Sequence, residues 1–456
     1  MACASGTCAS GCSKVNAQSS TVDLPGPKST NLTCLKCKVN TTIASGGGGG
    51  IGDSLRFCYS CFRSNLYGKF RFAVTANAMI SPEDNVLVAF SGGPSSRVAL
   101  QFVHELQERS LKNFEACRDR SLPVFGVGVA FIDESAIQQA SSYDFDKAVE
   151  EMKLVVSNLS PPVKKFHVCP TDSIYSLDSN DGREKLNELI SSITDVTGKE
   201  DLMEHLRMLS LQKIALDHKY TKIILGTCTS RIACRVLEAT VKGQGYSLSA
   251  DIQYVDARWE TPVVLPLRDC LQQELSLLCS LDSLKTMEVF NGLRSGINGL
   301  ITTFVKLLQE ENPSRESTIV RTAGKLTPFH FNKLPEDDNS VSILASRRRQ
   351  KKYNLQQNEA IPLNTFCSVC NSPLKETDTK TSESNGNGQI SRSVLAASCA
   401  SCQFQILPKE GTLLENFCSL LPPPVTERGK ACDHNKLLQM REQIQDCLLS
   451  DTDDET

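Results

Sequence analysis

Eight cysteines occur as four Cys-x-x-Cys pairs, a spacing that is typical of metal-binding knuckles. About 20 residues separate the first two pairs and about 28 separate the last two, and the shorter loop matches the usual four-cysteine zinc spacing. Two pairs together form a closed tetrahedral shell of thiolates, which leaves Zn²⁺ no open position for a substrate. The sequence therefore predicts two structural zinc sites, one formed by Cys34, Cys37, Cys58 and Cys61 and the other by Cys367, Cys370, Cys399 and Cys402.

The chain holds 20 cysteines in all, and their paired spacing favours metal binding over disulfides in a reducing compartment. Cys418, Cys432 and His434 follow the second set closely and are alternative ligands for it. The three cysteines at positions 3, 8 and 12 lack a fourth partner and are predicted to form no site.

A second feature that could do chemistry is the stretch Ser91-Gly92-Gly93-Pro94-Ser95-Ser96. It follows a short apolar run and precedes apolar residues at helical spacing. Glycines let the backbone approach a phosphate closely, and the N–H groups of a helix N-terminus attract anions. The stretch lacks the Gly-Lys-Ser/Thr ending of a Walker loop. The alternatives are a phosphate cradle and an ordinary strand-to-helix turn.

Alternating strands and helices must position this loop. Strands are predicted at 86–90, 123–133, 165–169 and 222–227, helices at 94–108, 141–156 and 201–219, and a short extended segment at 262–269. The alternation predicts an α/β fold with a parallel sheet and helices on both faces. Ligands of such folds bind at the carboxyl ends of the strands, where strand order reverses.

The ends of the second and fourth predicted strands are expected at that same edge. Asp133 ends the second strand, where it either meets a ribose or adenine or caps the next helix. Gly226 and Thr227 end the fourth strand, and Cys228 follows them. A helix N-terminus lowers the pKa of a thiol, so Cys228 is a weak candidate for a reactive thiolate; the alternative is a small buried side chain.

The remaining segments differ in composition. A helical pattern covers 271–308, a loop is predicted over 312–335, and a polar insertion over 375–392 is predicted to be disordered. A dense positive run either contacts a phosphate backbone or forms a solvated linker; its members are Arg347, Arg348, Arg349, Lys351 and Lys352.

These patterns divide the chain into six predicted regions. They are a disordered tail at 1–30, an N-terminal zinc module at 31–66, an α/β domain at 67–275, a helical segment with a basic linker at 276–365, a C-terminal zinc module at 366–420, and a C-terminal helix near 434–449 with an acidic tail within 421–456.

Composition excludes some classes of function. The net charge is −3, so a nucleic-acid surface has to be local. The first 20 residues have no apolar core of a signal peptide, and no apolar run approaches the roughly 18 residues needed to span a bilayer. A soluble cytoplasmic protein without a membrane partner is expected.

The ordered set of a cysteine knuckle pair, a Ser-Gly-Gly loop opening an α/β domain, and a second knuckle pair resembles the tRNA thiolases of the PP-loop superfamily. It is most similar to the cytoplasmic tRNA 2-thiolation protein 2 family, the partner of the catalytic thiolase. The resemblance covers about residues 31–420. It implies a PP-loop (adenine nucleotide alpha-hydrolase-like) fold, a heterodimer with the thiolase, and tRNA binding.

The resemblance also implies a reaction. It is 2-thiolation of the wobble uridine of lysine, glutamine and glutamate tRNAs, with sulfur from a thiocarboxylated ubiquitin-like modifier and activation by ATP. Ser95 stands where the superfamily loop has an aspartate, and no cysteine lies between Pro170 and Thr227, where a thiolase carries a cysteine pair. A site without an acid to organise Mg²⁺ is expected to be slow in adenylation.

Three hypotheses follow from these departures. In the first, the chain is a catalytically degenerate partner that binds the thiolase and tRNA, and whether its loop still binds ATP stays open. In the second, it is an active ATP-dependent sulfurtransferase that uses Ser95 or Ser96 and Cys228. In the third, it is a zinc-bearing scaffold without a nucleotide function. The first is the interpretation that the sequence favours.

Overall fold

The structure is a computed structural model. It describes residues 33–43, 56–116, 123–137, 142–175, 181–287, 295–312, 314–326, 366–374 and 389–430. The predicted disordered tail, most of the polar insertion, the Arg347–Lys352 run and the helix near 434–449 lie outside the described residues. No described helix has both the length and the apolar character that crossing a bilayer requires.

A six-stranded sheet forms the centre of the molecule. Its strands are β1 (Asn85–Ala89), β2 (Gly126–Asp133), β3 (Lys165–Pro170), β4 (Lys222–Ile224), β5 (Val255–Asp256) and β6 (Val263–Val264). They lie in the order β3-β2-β1-β4-β6-β5, and every neighbouring pair is parallel except β5 with β6. The predicted parallel sheet is confirmed. The strand order reverses between β1 and β4, which places a switch point beside the end of β1.

Helices surround the sheet and continue beyond it. They are α1 (Tyr59–Ala76), α2 (Pro94–Ala116), α3 (Ser142–Ser157), α4 (Gly182–Ser192), α5 (Val196–Asp217), α6 (Thr229–Val241), α7 (Gly245–Asp251), α8 (Gln272–Leu281), α9 (Gly296–Glu311), α10 (Ser314–Ala323), α11 (Gln389–Ala396), α12 (Ala400–Gln405) and α13 (Gly411–Leu420). A short 3-10 helix spans Thr171–Ile174.

Alternate side chains of the strands enter different cores. Val86 and Val88 of β1 pack with α1, α2, α3 and α8 on one face, whereas Leu87 packs with α5, α6 and α9 on the other. Successive strand residues point to opposite faces, so a run that is apolar throughout requires helices on both sides. This arrangement confirms the predicted α/β fold class.

The predicted loop over 312–335 is wrong where α10 forms. The segment is polar in composition, but Val320 and Ala323 face inward, and the buried Glu316 carboxylate accepts a hydrogen bond from the Ser230 hydroxyl at 2.6 Å. The buried carboxylate of Glu316 therefore has its hydrogen-bond partner on α6. The sequence pattern could not indicate that partner.

The C-terminal module shares a core with the α/β part of the chain. Leu186 and Leu189 of α4 and Leu206 of α5 pack in one cluster with Phe417 and Val425. The Tyr175 hydroxyl donates to the Leu420 carbonyl at 2.8 Å. The predicted regions 67–275 and 366–420 are thus joined by a continuous apolar interface.

Candidate functional site

The four cysteines of the N-terminal set converge. Their Sγ atoms all lie within 4.8 Å of one another, and those of Cys37 and Cys58 are 3.7 Å apart. A single metal ion with thiolates at about 2.3 Å in a tetrahedron separates the sulfurs by about 3.8 Å. The cluster therefore has a geometry that could hold one metal ion.

Local structure explains how the two N-terminal knuckles form. An isolated bridge between Thr33 and Thr41 closes the first knuckle, and Lys38 turns within it at a φ of 55°. Cys58 immediately precedes α1 and Cys61 lies in its first turn. The Ser60 hydroxyl lies 3.3 Å from the Cys58 Sγ. This hydrogen bond, together with others from the Cys61 backbone and the neighbouring cysteines, outweighs burial and lowers the pKa of Cys58 to about 6. A thiolate that is ready for a metal is thereby favoured at neutral pH.

The C-terminal set repeats this construction in a more buried setting. A bridge between Phe366 and Pro373 closes its first knuckle. The backbone N–H of Cys399 donates to the Cys367 Sγ at 3.3 Å, and the Cys370 and Cys399 sulfurs are 3.6 Å apart. All four side chains are buried, and their Sγ atoms also lie within 4.8 Å of one another. This cluster too could hold a metal ion.

The Ser-Gly-Gly loop stands at the end of β1, beside the switch point, as expected. Gly92 has a φ of 84°, a backbone conformation that glycine adopts without strain. The backbone N–H of Met287, in the segment after α8, donates to the Gly92 carbonyl at 3.0 Å. A Cβ atom at position 92 would lie 2.7 Å from the Met287 carbonyl oxygen. One side of the loop is therefore covered by another part of the chain.

The serines of the loop make contacts within the protein. The Ser96 hydroxyl donates to the Gly93 carbonyl at 2.9 Å and lies 3.2 Å from the Ser91 hydroxyl. Gly226 at the end of β4 sits against the backbone of Ser95 and Ser96, so closely that a Cβ there would be 2.8 Å from it. The loop and the β4 tip thus meet, as the fold predicts.

Cys228 is the residue immediately before α6, but its side chain is only 2% exposed. Burial raises the pKa of Cys228, although hydrogen bonds to the Arg231 backbone and the Ser95 side chain oppose the rise. A protonated, inaccessible thiol is a poor nucleophile. The environment is that of a structural cysteine.

Asp133 occupies the carboxyl end of β2. Its carboxylate accepts a hydrogen bond from the Ser135 backbone N–H at 2.8 Å, and its backbone carbonyl accepts one from the Thr171 hydroxyl at 2.9 Å. The side chain therefore holds the turn that follows the strand. The next helix begins only at Ser142, so these contacts stabilise a turn and match neither the helix cap nor a contact with a ribose or adenine.

Sequence reasoning missed a charged group near this edge of the sheet. Arg207 of α5 forms an ion pair with Glu134, which follows β2, at 2.5 Å. Burial opposes ionisation of Glu204, but the charges of Arg231 and its neighbours Arg235 and Arg207 lower the pKa of Glu204 to about 2. Glu204 and Arg207 are i,i+3 neighbours on α5, but no local signal links them to Glu134 after β2 or to Arg231 and Arg235 of α6.

The architecture defines an α/β protein with a mostly parallel sheet, a Ser-Gly-Gly loop at its switch point, and two four-cysteine clusters of metal-binding geometry. The chain is 54% identical to the Arabidopsis thaliana protein named cytoplasmic tRNA 2-thiolation protein 2, over 100% of both chains. It belongs to the cytoplasmic tRNA 2-thiolation protein 2 family, as the sequence resemblance predicted.

More distant relatives carry the same name. The protein of Oryza sativa subsp. indica is 48% identical over 94% of this chain and 91% of its own length, and that of Homo sapiens is 24% identical over 94% and 96%. No protein-family model matches the chain. Among solved structures it is similar to the U34-tRNA thiolase NcsA from Methanococcus maripaludis with its 4Fe-4S cluster, with 15% identity, a TM-score of 0.47, and coverage of 69% of this chain and 95% of that chain.

Proposed function

We propose that this chain is a non-catalytic subunit of the cytosolic tRNA 2-thiolation complex. It binds the catalytic thiolase and tRNA and is required for 2-thiolation of the wobble uridine, giving mcm5s2U, in lysine, glutamine and glutamate tRNAs. The sulfur comes from a thiocarboxylated ubiquitin-like modifier, which this chain meets only through the complex. Membership of the 2-thiolation protein 2 family supports the pathway.

The observation that carries the non-catalytic role is the covered Ser-Gly-Gly loop. Adenylation needs a loop whose backbone can close on the phosphates and groups that stabilise the transferring charge. Here the backbone N–H of Met287 donates to the Gly92 carbonyl, so the Met287 backbone lies against the loop. The Ser96 hydroxyl donates to the Gly93 carbonyl within the loop. Position 95 is a serine, which binds Mg²⁺ less well than the carboxylate of the superfamily loop.

The environment of Cys228 supports the same proposal. A sulfur carrier must present a thiolate to its donor and to the activated substrate. The Cys228 thiol is buried, and burial raises its pKa. It is therefore poorly suited to carry sulfur, which weakens the case for an active sulfurtransferase in this chain.

Each four-cysteine cluster fits one structural zinc ion. The sulfurs are spaced for a single tetrahedral ion, whereas a four-iron cluster binds each thiolate to a separate iron and spreads the sulfurs further apart. Zinc in these shells cross-links segments of the chain and supplies no reactive position. The residues that hold it are the eight predicted cysteines.

One part of the proposal concerns a surface for tRNA. The Arg347–Lys352 run stays a prediction for RNA contact, because it lies outside the described residues. Replacement of its five basic residues by alanine is expected to weaken tRNA binding and to flatten its salt dependence. An unchanged affinity and slope would remove this run from the RNA site.

The proposed function is tested by thiolation of a wobble-uridine tRNA with ATP and the thiocarboxylated donor. We expect little product from either purified subunit alone and full activity from the mixture. Ser95→Asp and Cys228→Ala are expected to leave the activity of the mixture within about twofold, since neither position performs a chemical step. Thiouridine formed by this chain alone would overturn the non-catalytic assignment and make Cys228 the first residue to test.

A further inference from the structure

A groove of about 490 Å³ lies on the outer side of α1 and α2, away from the Ser-Gly-Gly loop. The charged side chains that line it are Arg63 and Arg71 of α1 and Arg109 of α2. Gly68 lies on α1 between them, and a Cβ there would meet nothing within 4 Å. The groove is thus open at its centre and cationic at its walls.

Two of these arginines have charge available for a ligand. Arg63 is held by Glu105 at 2.5 Å and by Asp282 at 2.8 Å, so its guanidinium is fixed and largely neutralised. Arg71 and Arg109 are exposed, and neither forms an ion pair with a residue in the part of the chain that the structure describes. The guanidinium of Arg109 instead lies over the Tyr67 ring, 4.3 Å from its centroid.

Tyr67 provides an independent indication of a ligand. The residue lines the groove, its side chain is only 6% exposed, and its ring packs edge-on against Phe102 at 5.3 Å. Its hydroxyl is buried and has no hydrogen-bond partner among the described residues. Buried polar atoms normally have partners, and the exceptions need an explanation. An oxygen acceptor bound in the groove would satisfy this donor once a side chain that covers the hydroxyl moves aside.

The chemistry of the lining selects an anion with several oxygens. Guanidinium groups are donors only and match phosphate oxygens in a forked geometry, and a phenol hydroxyl can donate to the same group. Phe72 lies at the rim of the groove with 70% of its side chain exposed. An exposed aromatic ring beside arginines suits a nucleobase that stacks while its phosphate is bound. An acidic peptide would use the arginines but would leave this ring without a role.

We propose that the groove between α1 and α2 binds an RNA phosphate, with Arg71, Arg109 and the Tyr67 hydroxyl as contacts and Phe72 as a stacking surface for an adjacent base. The inference rests on the proposed function, which makes tRNA the RNA concerned. It adds a tRNA contact that is separate from the Arg347–Lys352 run.

The first experiment compares two double variants of the full chain with the catalytic subunit present. The groove variant is Arg71→Gln with Arg109→Gln. The matched control is Arg183→Gln with Arg321→Gln, which removes the same charge from exposed helical positions on α4 and α10. Binding of an unmodified tRNA transcript is measured between about 50 and 200 mM salt.

The groove variant is expected to bind tRNA about five- to tenfold more weakly, and the slope of log affinity against log salt should shrink by about 0.7 to 0.9 for the one phosphate that is no longer neutralised. The control should change affinity by less than about twofold. Equal losses in both variants would overturn the proposal, since net charge alone would then explain them. The proposal would also be overturned if the groove variant no longer bound the catalytic subunit but kept its tRNA affinity. That result would assign the groove to a protein partner.

The second experiment is Tyr67→Phe, which removes only the hydroxyl. Because that hydroxyl has no partner among the described residues, the variant is expected to be at least as stable to heat as the original chain, while tRNA affinity falls severalfold. Unchanged tRNA affinity would overturn the contact. The thiolation assay with unaltered subunits is a separate readout, so failure of the proposed function is distinguishable from failure of the groove.

Discussion

At the scale of residues, Gly92 combines a left-handed backbone with a close contact to a distant segment of the chain. Its left-handed conformation is strained for any residue with a side chain, and its Cα faces the Met287 carbonyl. The contact joins residues far apart in the chain, so no local pattern indicated it. The loop was predicted from its glycines, but its covering was not.

Substitution of Gly92 separates conformational strain from the contact with Met287. Gly92→Ala is expected to lower the free energy of unfolding by about 1 kcal/mol for the left-handed backbone and about 1–3 kcal/mol for the close contact. Gly243→Ala is the matched control, because Gly243 has a φ of 71° and a Cβ added there would meet nothing within 4 Å. Urea unfolding measures both. Equal losses would show that the Met287 contact contributes nothing.

Lys164 is a buried amine whose ionisation should be visible in the stability. Its Nζ donates to the Leu159 and Pro162 carbonyls at 2.6 and 3.0 Å and lies 3.1 Å from the His104 Nδ1. Burial lowers the pKa of Lys164 to about 8. Between about pH 8 and 10.4 the unfolded chain therefore binds more protons at this residue than the folded chain.

The stability that Lys164 contributes should rise with pH across that window. Relative to Lys164→Met, the original chain is expected to gain up to about 3 kcal/mol between about pH 7.5 and 10.5, measured by urea unfolding at each pH. The histidine does not interfere, because burial lowers the pKa of His104 and keeps it neutral there. Parallel stability curves for the two proteins would contradict the prediction.

At the scale of elements, each metal cluster is built into the start of a helix. Cys58 precedes α1 and Cys399 precedes α12, and each helix carries the second cysteine of its knuckle in its first turn. A metal ion bound by these cysteines would fix where these helices begin. The Cys-x-x-Cys spacing alone does not indicate this arrangement, because the first pair of each cluster has the same spacing and lies in a turn. The eight residues that converge are the eight predicted from sequence.

Loss of one ligand should remove one metal ion. Cys399→Ser is expected to reduce bound zinc from about two to about one per chain, since three thiolates no longer close the shell. Cys418→Ser is the control, because Cys418 is buried in the same core but lies outside the four-cysteine cluster. Metal analysis of the purified proteins gives the stoichiometry. Two zinc ions retained by Cys399→Ser would show that this cysteine is not a ligand.

Elements with a strong local pattern were predicted well. β1 and β2 contain continuous apolar runs, and the helix near 201–219 buries Leu211, Ile214 and Ala215 as its periodicity indicated. β6 lies within the predicted extended segment 262–269, whereas its antiparallel partner β5 is only two residues long and was not predicted. The formation of β5 depends on the neighbouring sheet edge, and α10 depends on α6 in the same way.

At the scale of the whole molecule, the predicted regions 67–275 and 366–420 share one apolar core, although the sequence suggested separate modules. Composition can locate a knuckle pair, but it cannot show which surface the pair will cover. The Gln244 side chain donates to the Ser401 hydroxyl at 3.0 Å, and the Asn371 side chain donates to the Arg258 carbonyl at 3.2 Å. Polar contacts thus accompany the apolar interface.

This shared core should unfold as one unit with its metal. Tyr175→Phe removes the buried hydrogen bond to Leu420 and is expected to cost about 1–2 kcal/mol. Zinc release and loss of helical circular dichroism should shift together. Tyr59→Phe removes an exposed hydrogen bond to Asp282 and should cost less than about 0.5 kcal/mol. If Tyr175→Phe released zinc before it lost helical structure, the core and its metal would not unfold as one unit.

The shared core also has a consequence for synthesis on the ribosome. Residues 174–209 emerge long before residues 367–425, which cover them. At about 5–20 residues per second the delay is roughly 10–40 s. During that interval the apolar side chains that α4 and α5 contribute to this cluster lack their C-terminal partners. A chain truncated before residue 367 would contain all six strands but would leave this apolar surface of α4 and α5 uncovered.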